Sequence, residues 1–115
     1  MYCDTFTEYS LQARVTDKHD YTAMGIPPLA YHGLALGGEA GELANKLKKL
    51  YRDDGGVMTE ARKQDIISEM GDCLWYLDAL ARNLGTSLNA VATANIAKLL
   101  SRRERGVVGG DGDHR

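Results

Sequence analysis

The chain has 115 residues, a hydrophobic fraction of 43% and a formal net charge of −2, which is the scale of one globular domain. That charge gives no general attraction to polymeric nucleic acid or to an anionic membrane. No apolar run approaches the roughly 18 residues that a membrane span requires. The two cysteines, Cys3 near the terminus and Cys73 inside an apolar helical pattern, do not read as a disulfide framework. The opening MYCDTFTEYS has no basic segment followed by an apolar one, so no signal peptide is read and the cytoplasm is the expected location. A domain this small leaves much apolar surface incompletely buried, which favours self-association.

Residues 4–18, DTFTEYSLQARVTDK, read as a first helix capped by Asp4 or Thr5, with Phe6, Tyr9, Leu11 and Ala13 at loose helical spacing. HDYTAMGIPP breaks the pattern with Gly25 and the Pro27–Pro28 pair. A second helix starts at or just after Pro28, since proline suits a first helical turn. It carries Leu29, Leu36, Ala40, Leu43, Leu47 and Leu50 and stops at RDDGG. Thr59 caps a third helix through Ile66, Met70, Cys73, Leu77, Leu80 and Leu84, which Gly85 ends in a left-handed conformation. Ser87 opens a fourth, with Leu88, Val91, Ala92, Ile96 and Leu99 on its apolar side. The end of the chain, GVVGGDGDHR, is glycine-rich and aperiodic. With no β-alternation and no fixed repeat, the expected fold is all-α: a four-helix core over residues 1–106 and a tail over 107–115.

Polar residues run beside three of these apolar stripes. Glu39 and Glu42 stand three apart and point the same way, and Lys46 and Lys49 continue their direction alongside Leu36, Leu43 and Leu47. Glu69 and Asp72 repeat the spacing on the third helix, with Tyr76 extending the strip, and Asn95, Lys98 and Arg102 do so on the fourth. Gly37, Gly38 and Gly41 crowd the first acidic pair, although each costs a helix about 1 kcal/mol against alanine. They fall away from the acids and give the second helix a smooth back that another backbone can approach closely. The bland alternative is that they only fray the helix start.

Two carboxylates about 6 Å apart repel by roughly 3 kcal/mol at an effective dielectric near 20. Four converging acids therefore call for a cation or a proton among them. Oxygen-only ligands suit Mg2+, with Mn2+ as a substitute. Zinc would call for His or Cys, and Cys73 reads as core. A di-iron bundle would show Glu-x-x-His, and none of His19, His32 or His114 stands three after a glutamate. Acids that hold magnesium, with lysines and an arginine nearby, describe a site for phosphate oxygens. No glycine-rich phosphate loop is present, so side chains and metal must hold the phosphates. Trp75 reads as packing, and His32 faces the core strip without an obvious partner.

The segments LALGGEAGELANKLKKL, EMGDCLWYLDALARNLG and SLNAVATANIAKLLSRR together resemble the MazG-like nucleoside triphosphate pyrophosphohydrolases, all-α enzymes marked by E-x-x-E, a gap, and E-x-x-D. Here the motif is Glu39/Glu42, 26 residues, then Glu69/Asp72, and the likeness runs from about Leu29 to Gly106. The resemblance implies that these four acids are catalytic and bind magnesium. It also implies that a (d)NTP is cleaved between its α- and β-phosphates to a monophosphate and pyrophosphate, in a role such as nucleotide-pool house-cleaning. Asn95 and Lys98 match the family's N-x-x-K and would contact phosphate or sugar, with Arg102 beside them. Lys46 and Lys49 correspond to its basic positions, and Tyr76 to an aromatic position lining the base pocket. Relatives are homodimers or homotetramers, with helices of two chains completing the bundle. Where many relatives end in Arg-Tyr-Pro, this chain has RRERGVVGGDGDHR, which is either a lid carrying Arg105 or Arg115 or a disordered end. Two other readings use the same residues: a non-enzymatic oligomer binding nucleotides or a protein, and a hydrolase of an alarmone or phosphoribosyl-ATP.

Overall fold

Each helix begins where a side chain or a proline deals with its first free amides. In the computed structural model, which describes residues 2–115, Thr5 Oγ1 accepts from the Glu8 N–H and opens α1 (Phe6–Ala13). Asp20 accepts from the Ala23 N–H and opens α2 (Tyr21–Met24). Pro28 occupies the first position of α3 (Pro28–Arg52), where its missing N–H costs nothing. Thr59 caps α4 (Glu60–Asn83) and Ser87 caps α5 (Leu88–Glu104) in the same way as Thr5. Gly85, at φ 71°, ends α4: its N–H bonds to the Arg82 carbonyl and that of Thr86 to Ala81, the paired bonds of a Schellman close. All regular elements among the described residues are helical, so the all-α reading holds.

The structure departs from the sequence expectation in the first thirty residues. The first helix stops at Ala13 and tightens into a 3-10 turn over Arg14–Thr16, where residues 4–18 read as one helix. There Thr16 Oγ1 donates to the Ala13 carbonyl at 2.6 Å, and Trp75 Nε1 donates to Thr16 Oγ1 at 2.8 Å. Trp75 Nε1, on a distant helix, also donates to the Ala13 carbonyl at 3.3 Å. A continued helix would have used that acceptor for the Asp17 N–H, which bonds the Arg14 carbonyl instead. The HDYTAMGIPP break contains α2, a single turn closed by Gly25 at φ 69°.

Helices α3 and α4 pack along one another and α5 rests on α1 and α4. The α3–α4 pair is antiparallel, because His32 near the start of α3 bonds Asn83 at the end of α4. Polar side chains stitch the centre. Asp78 is fully buried and accepts from Ser10 of α1 and from Arg82 one turn along α4. His32 is 1% exposed, with Nε2 2.7 Å from the Tyr21 hydroxyl and Nδ1 2.6 Å from Asn83 Oδ1. This corrects the reading of His32 as lacking a partner: Tyr21 and Asn83 lie far from it in sequence.

Several expected core positions are uncovered. Met70, Leu77, Leu84, Val91, Ile96 and Leu99 are exposed, Leu84 by 66% and Ile96 by 57%. The buried apolar residues are Ala13, Leu50, Ala79, Ala81 and Leu88. The radius of gyration, 17.2 Å, exceeds the about 13 Å expected of a compact domain this long. The apolar stripes are where their spacing puts them, but α5 packs mainly on α1 and α4, and Val91, Ile96, Leu99 and Leu100 on its outer side stay exposed.

Candidate active site

The antiparallel α3–α4 pair brings the middle of one helix beside the middle of the other, and the acids sit there. Glu39 of α3 and Glu69 and Asp72 of α4 each offer an oxygen, and the three oxygens lie within 4.8 Å of one another. Glu39 and Glu69 are half-buried and Asp72 is exposed. Glu42 stands outside this group and is exposed. Three residues along a helix make about 300°, which turns Glu42 roughly 60° from Glu39. It remains near enough for its charge to act on Glu39.

Partial burial pushes the Glu39 carboxyl above its ordinary value, and the charges of Asp72, Glu69 and Glu42 and a hydrogen bond with Glu69 push it further. A cation among these oxygens would relieve the repulsion that Glu39 meets from its acidic neighbours. A hard cation with oxygen ligands at about 2.0–2.6 Å holds those oxygens roughly 3–5 Å apart, so the donor set fits such an ion. Cys73 is half-buried and not core as its stripe suggested. Burial first, then the charges of Glu39, Asp72 and Glu69, raises its thiol. It keeps its proton and stays out of the donor group.

A cleft of about 230 Å³ opens beside the acids, lined by Thr16, His19, Glu39, Asp72, Trp75 and Tyr76. Trp75 and Tyr76 meet edge to face with ring centroids 4.9 Å apart, and His32 packs behind them at 5.9 and 6.0 Å. Opposite, His19 lies 5.0 Å from Tyr31. Its Nδ1 is 3.3 Å from Asp17 Oδ1, and the Tyr21 hydroxyl donates to both Asp17 oxygens. Burial pushes Asp17 up, but the bonds from Tyr21 and His19 outweigh it and hold the carboxyl below its ordinary range. The aromatic wall is therefore pinned by a charged anchor on the 14–26 segment. A larger hollow of about 460 Å³, lined by Cys3, Asp4, Thr5, Phe6, Tyr9, Leu74 and Asn89, contains none of the three clustered acids.

Of the other residues singled out in the sequence, Tyr76 lines the cleft. Lys46 and Lys49 lie further along α3, half-buried and outside its lining. Asn95, Lys98 and Arg102 of α5 are not in the lining either, and Lys98 and Arg102 bind Asp113 of the tail. Thr16, His19 and the cleft role of Trp75 escaped the sequence reading. Trp75 had a signal, since it stands three after Asp72 and so shares its face. Thr16 and His19 had none, because a turn and a loop have no periodicity to read.

The model of the MazG nucleotide pyrophosphohydrolase domain matches residues 32–107, a span that holds the whole acidic cluster. The chain belongs to the MazG family. Membership places it, at family level, among nucleotide pyrophosphohydrolases. This MazG chain is also 47% identical over 90 residues to the "Gene 37 protein" of Mycobacterium phage L5, covering 78% of this chain and 79% of that one. No solved structure matches it. No described helix is long and apolar enough to cross a membrane.

Proposed function

We propose that this MazG chain is a magnesium-dependent pyrophosphohydrolase that cleaves a nucleoside or deoxynucleoside triphosphate between its α- and β-phosphates, giving a monophosphate and pyrophosphate. The observation that carries the reading is the convergence of Glu39, Glu69 and Asp72 beside an aromatic cleft. Those acids would hold Mg2+, with Mn2+ as a substitute, and the ion supplies charge neutralisation at phosphate oxygens. Glu42, exposed and outside the trio, is the carboxylate free to take a proton from the attacking water. The faces of Trp75, Tyr76 and His19 suit a flat base, and their rigid packing lets it dock with little ordering cost. Lys46, Lys49, Asn95, Lys98 and Arg102 are the side chains proposed for phosphate and sugar.

The working unit is a homodimer or homotetramer. Support comes from the uncovered stripe of α5 and from α3, where a methyl group on Gly37, Gly38 or Gly41 would meet nothing within 4 Å. A second chain against these faces would bury what one chain leaves in water, worth about 25 cal/mol per Å² of apolar surface.

Asp72→Ala and Glu42→Ala test the assignment. Each should lower turnover by about 100-fold or more with helicity by circular dichroism unchanged. A fully active Asp72→Ala protein would sink it.

A further inference from the structure

The last nine residues do not trail away from α5. Gly106, at φ 71°, closes the helix, the Val107 N–H bonds to the Arg102 carbonyl, and the chain turns back through Gly110 and Gly112, both at positive φ, a conformation that suits glycine. Arg115 ties the loop by donating to the carbonyls of Val107, Val108 and Gly112. Arg105, one of the two lid arginines suggested by the sequence, donates to Ser101 and to the Arg115 carbonyl. Both arginines are therefore spent on holding the tail.

What the loop delivers to α5 is a carboxylate. Asp113 Oδ1 lies 3.2 Å from Lys98 Nζ and 3.2 Å from Arg102 Nη2, and Nη2 also donates to the Asp113 carbonyl at 2.8 Å. Arg102 is only 5% exposed, yet its Nε is buried without a hydrogen-bond partner. Nε and Nη2 form the edge of a guanidinium that grips two oxygens of one anion. Asp113 takes the Nη2 half of that grip, and the Nε half is left covered but without an acceptor. The Asp113 side chain is 73% exposed, so its ion pairs are easily exchanged. Bonds from Arg102 first and Lys98 second hold its carboxyl below the ordinary range, so it is charged at neutral pH.

We propose that the tail is an autoinhibitory strap: the Asp113 carboxylate occupies a polyphosphate seat made by Lys98 and Arg102, and a phosphate group that fills both halves of the Arg102 grip displaces it. The proposal rests on the reading that these two cations serve the substrate's phosphates. Exposed ion pairs such as those of Asp113 shift an equilibrium by up to about fivefold. A seat open in only about one molecule of five would bind about fivefold more weakly, which bounds the size of the effect.

The test is calorimetric titration of full-length protein with inorganic pyrophosphate in EDTA, which needs no metal and no turnover. Asp113→Asn should bind pyrophosphate about three- to fivefold more tightly than the unmodified chain, and Lys98→Gln should bind it more weakly. In the unmodified chain the Gly109, Gly110 and Gly112 amide resonances should sharpen toward free-chain positions as pyrophosphate is added. If the chain hydrolyses a triphosphate, Asp113→Asn should lower KM by the same factor and leave kcat unchanged. Equal pyrophosphate affinity in the Asn variant overturns the strap, and undiminished affinity in Lys98→Gln overturns the seat. A chain that hydrolyses no triphosphate but passes the pyrophosphate titration keeps the strap and loses the proposed reaction.

Discussion

Helices α3 and α4 each bury a polar side chain that groups on other elements satisfy, while α5 leaves most of its apolar stripe in water. In the first region His32 and Asp78 are almost completely enclosed, and each finds partners on other elements: Tyr21 and Asn83 for His32, Ser10 for Asp78. In the second, Ile96, Leu99 and Leu100 are exposed on a helix whose Lys98 and Arg102 pair with Asp113 of the chain's own tail. Buried polar groups demand partners of fixed geometry, so the α3–α4 region fixes positions, and the three acids are set among those fixed points. Apolar groups demand only cover, which this chain does not give Ile96, Leu99 and Leu100. The difference separates a region whose polar groups are satisfied within the chain from a face whose apolar groups are not covered by it.

The sharpest way to break the first region is Asp78→Ala. It leaves Arg82 without its acid and Ser10 without its acceptor, and breaking such a buried pair should cost about 3 kcal/mol in urea unfolding. A change under about 0.5 kcal/mol would mean that Asp78 does not anchor α1. Next is Ile96→Glu on α5. An exposed site on a lone chain should tolerate it within about 0.5 kcal/mol, whereas a site covered by a second chain should lose roughly 2 kcal/mol. Light scattering should show the oligomer reduced to single chains, and an unchanged mass would put the subunit interface elsewhere.

The smallest effect concerns Glu39. Its carboxyl is raised from the ordinary 4.5, by burial and then by its acidic neighbours. Folding therefore favours the protonated form, and the metal-free fold carries a penalty that is full above the raised pKa, fades as pH falls from there toward 4.5 and is gone below it. Glu39→Gln in EDTA should accordingly raise the melting temperature slightly at pH 7, with the gain vanishing in acid. With Mg2+ present the order should reverse, because only the native carboxylate gains from the ion. A gain that does not change with pH would show that the raised carboxyl is not its source.

Much of this arrangement was legible in the residues. Thr5, Pro28, Thr59, Ser87 and Gly85 each announced a helix end, because caps act through local bonds. The i, i+3 spacing of the acids put each pair on one side of its helix. Contacts between distant segments were not legible. Trp75 shortens α1 from sixty residues away by claiming Thr16 and Ala13, and α2 is too short to show a period. The 60° turn of Glu42 out of the acidic trio is visible in helix geometry once the partner helix is in place. The uncovered stripes of α4 and α5 read as core, since spacing records which residues share a face and not whether another helix covers it.

The most direct measurement is pyrophosphate release from each common NTP and dNTP, with Mg2+ and with EDTA, followed by mass spectrometry of the products. The account predicts monophosphate and pyrophosphate in equal amounts from at least one of them, and only when metal is present. Silence across the panel, or release of single phosphates, would contradict it.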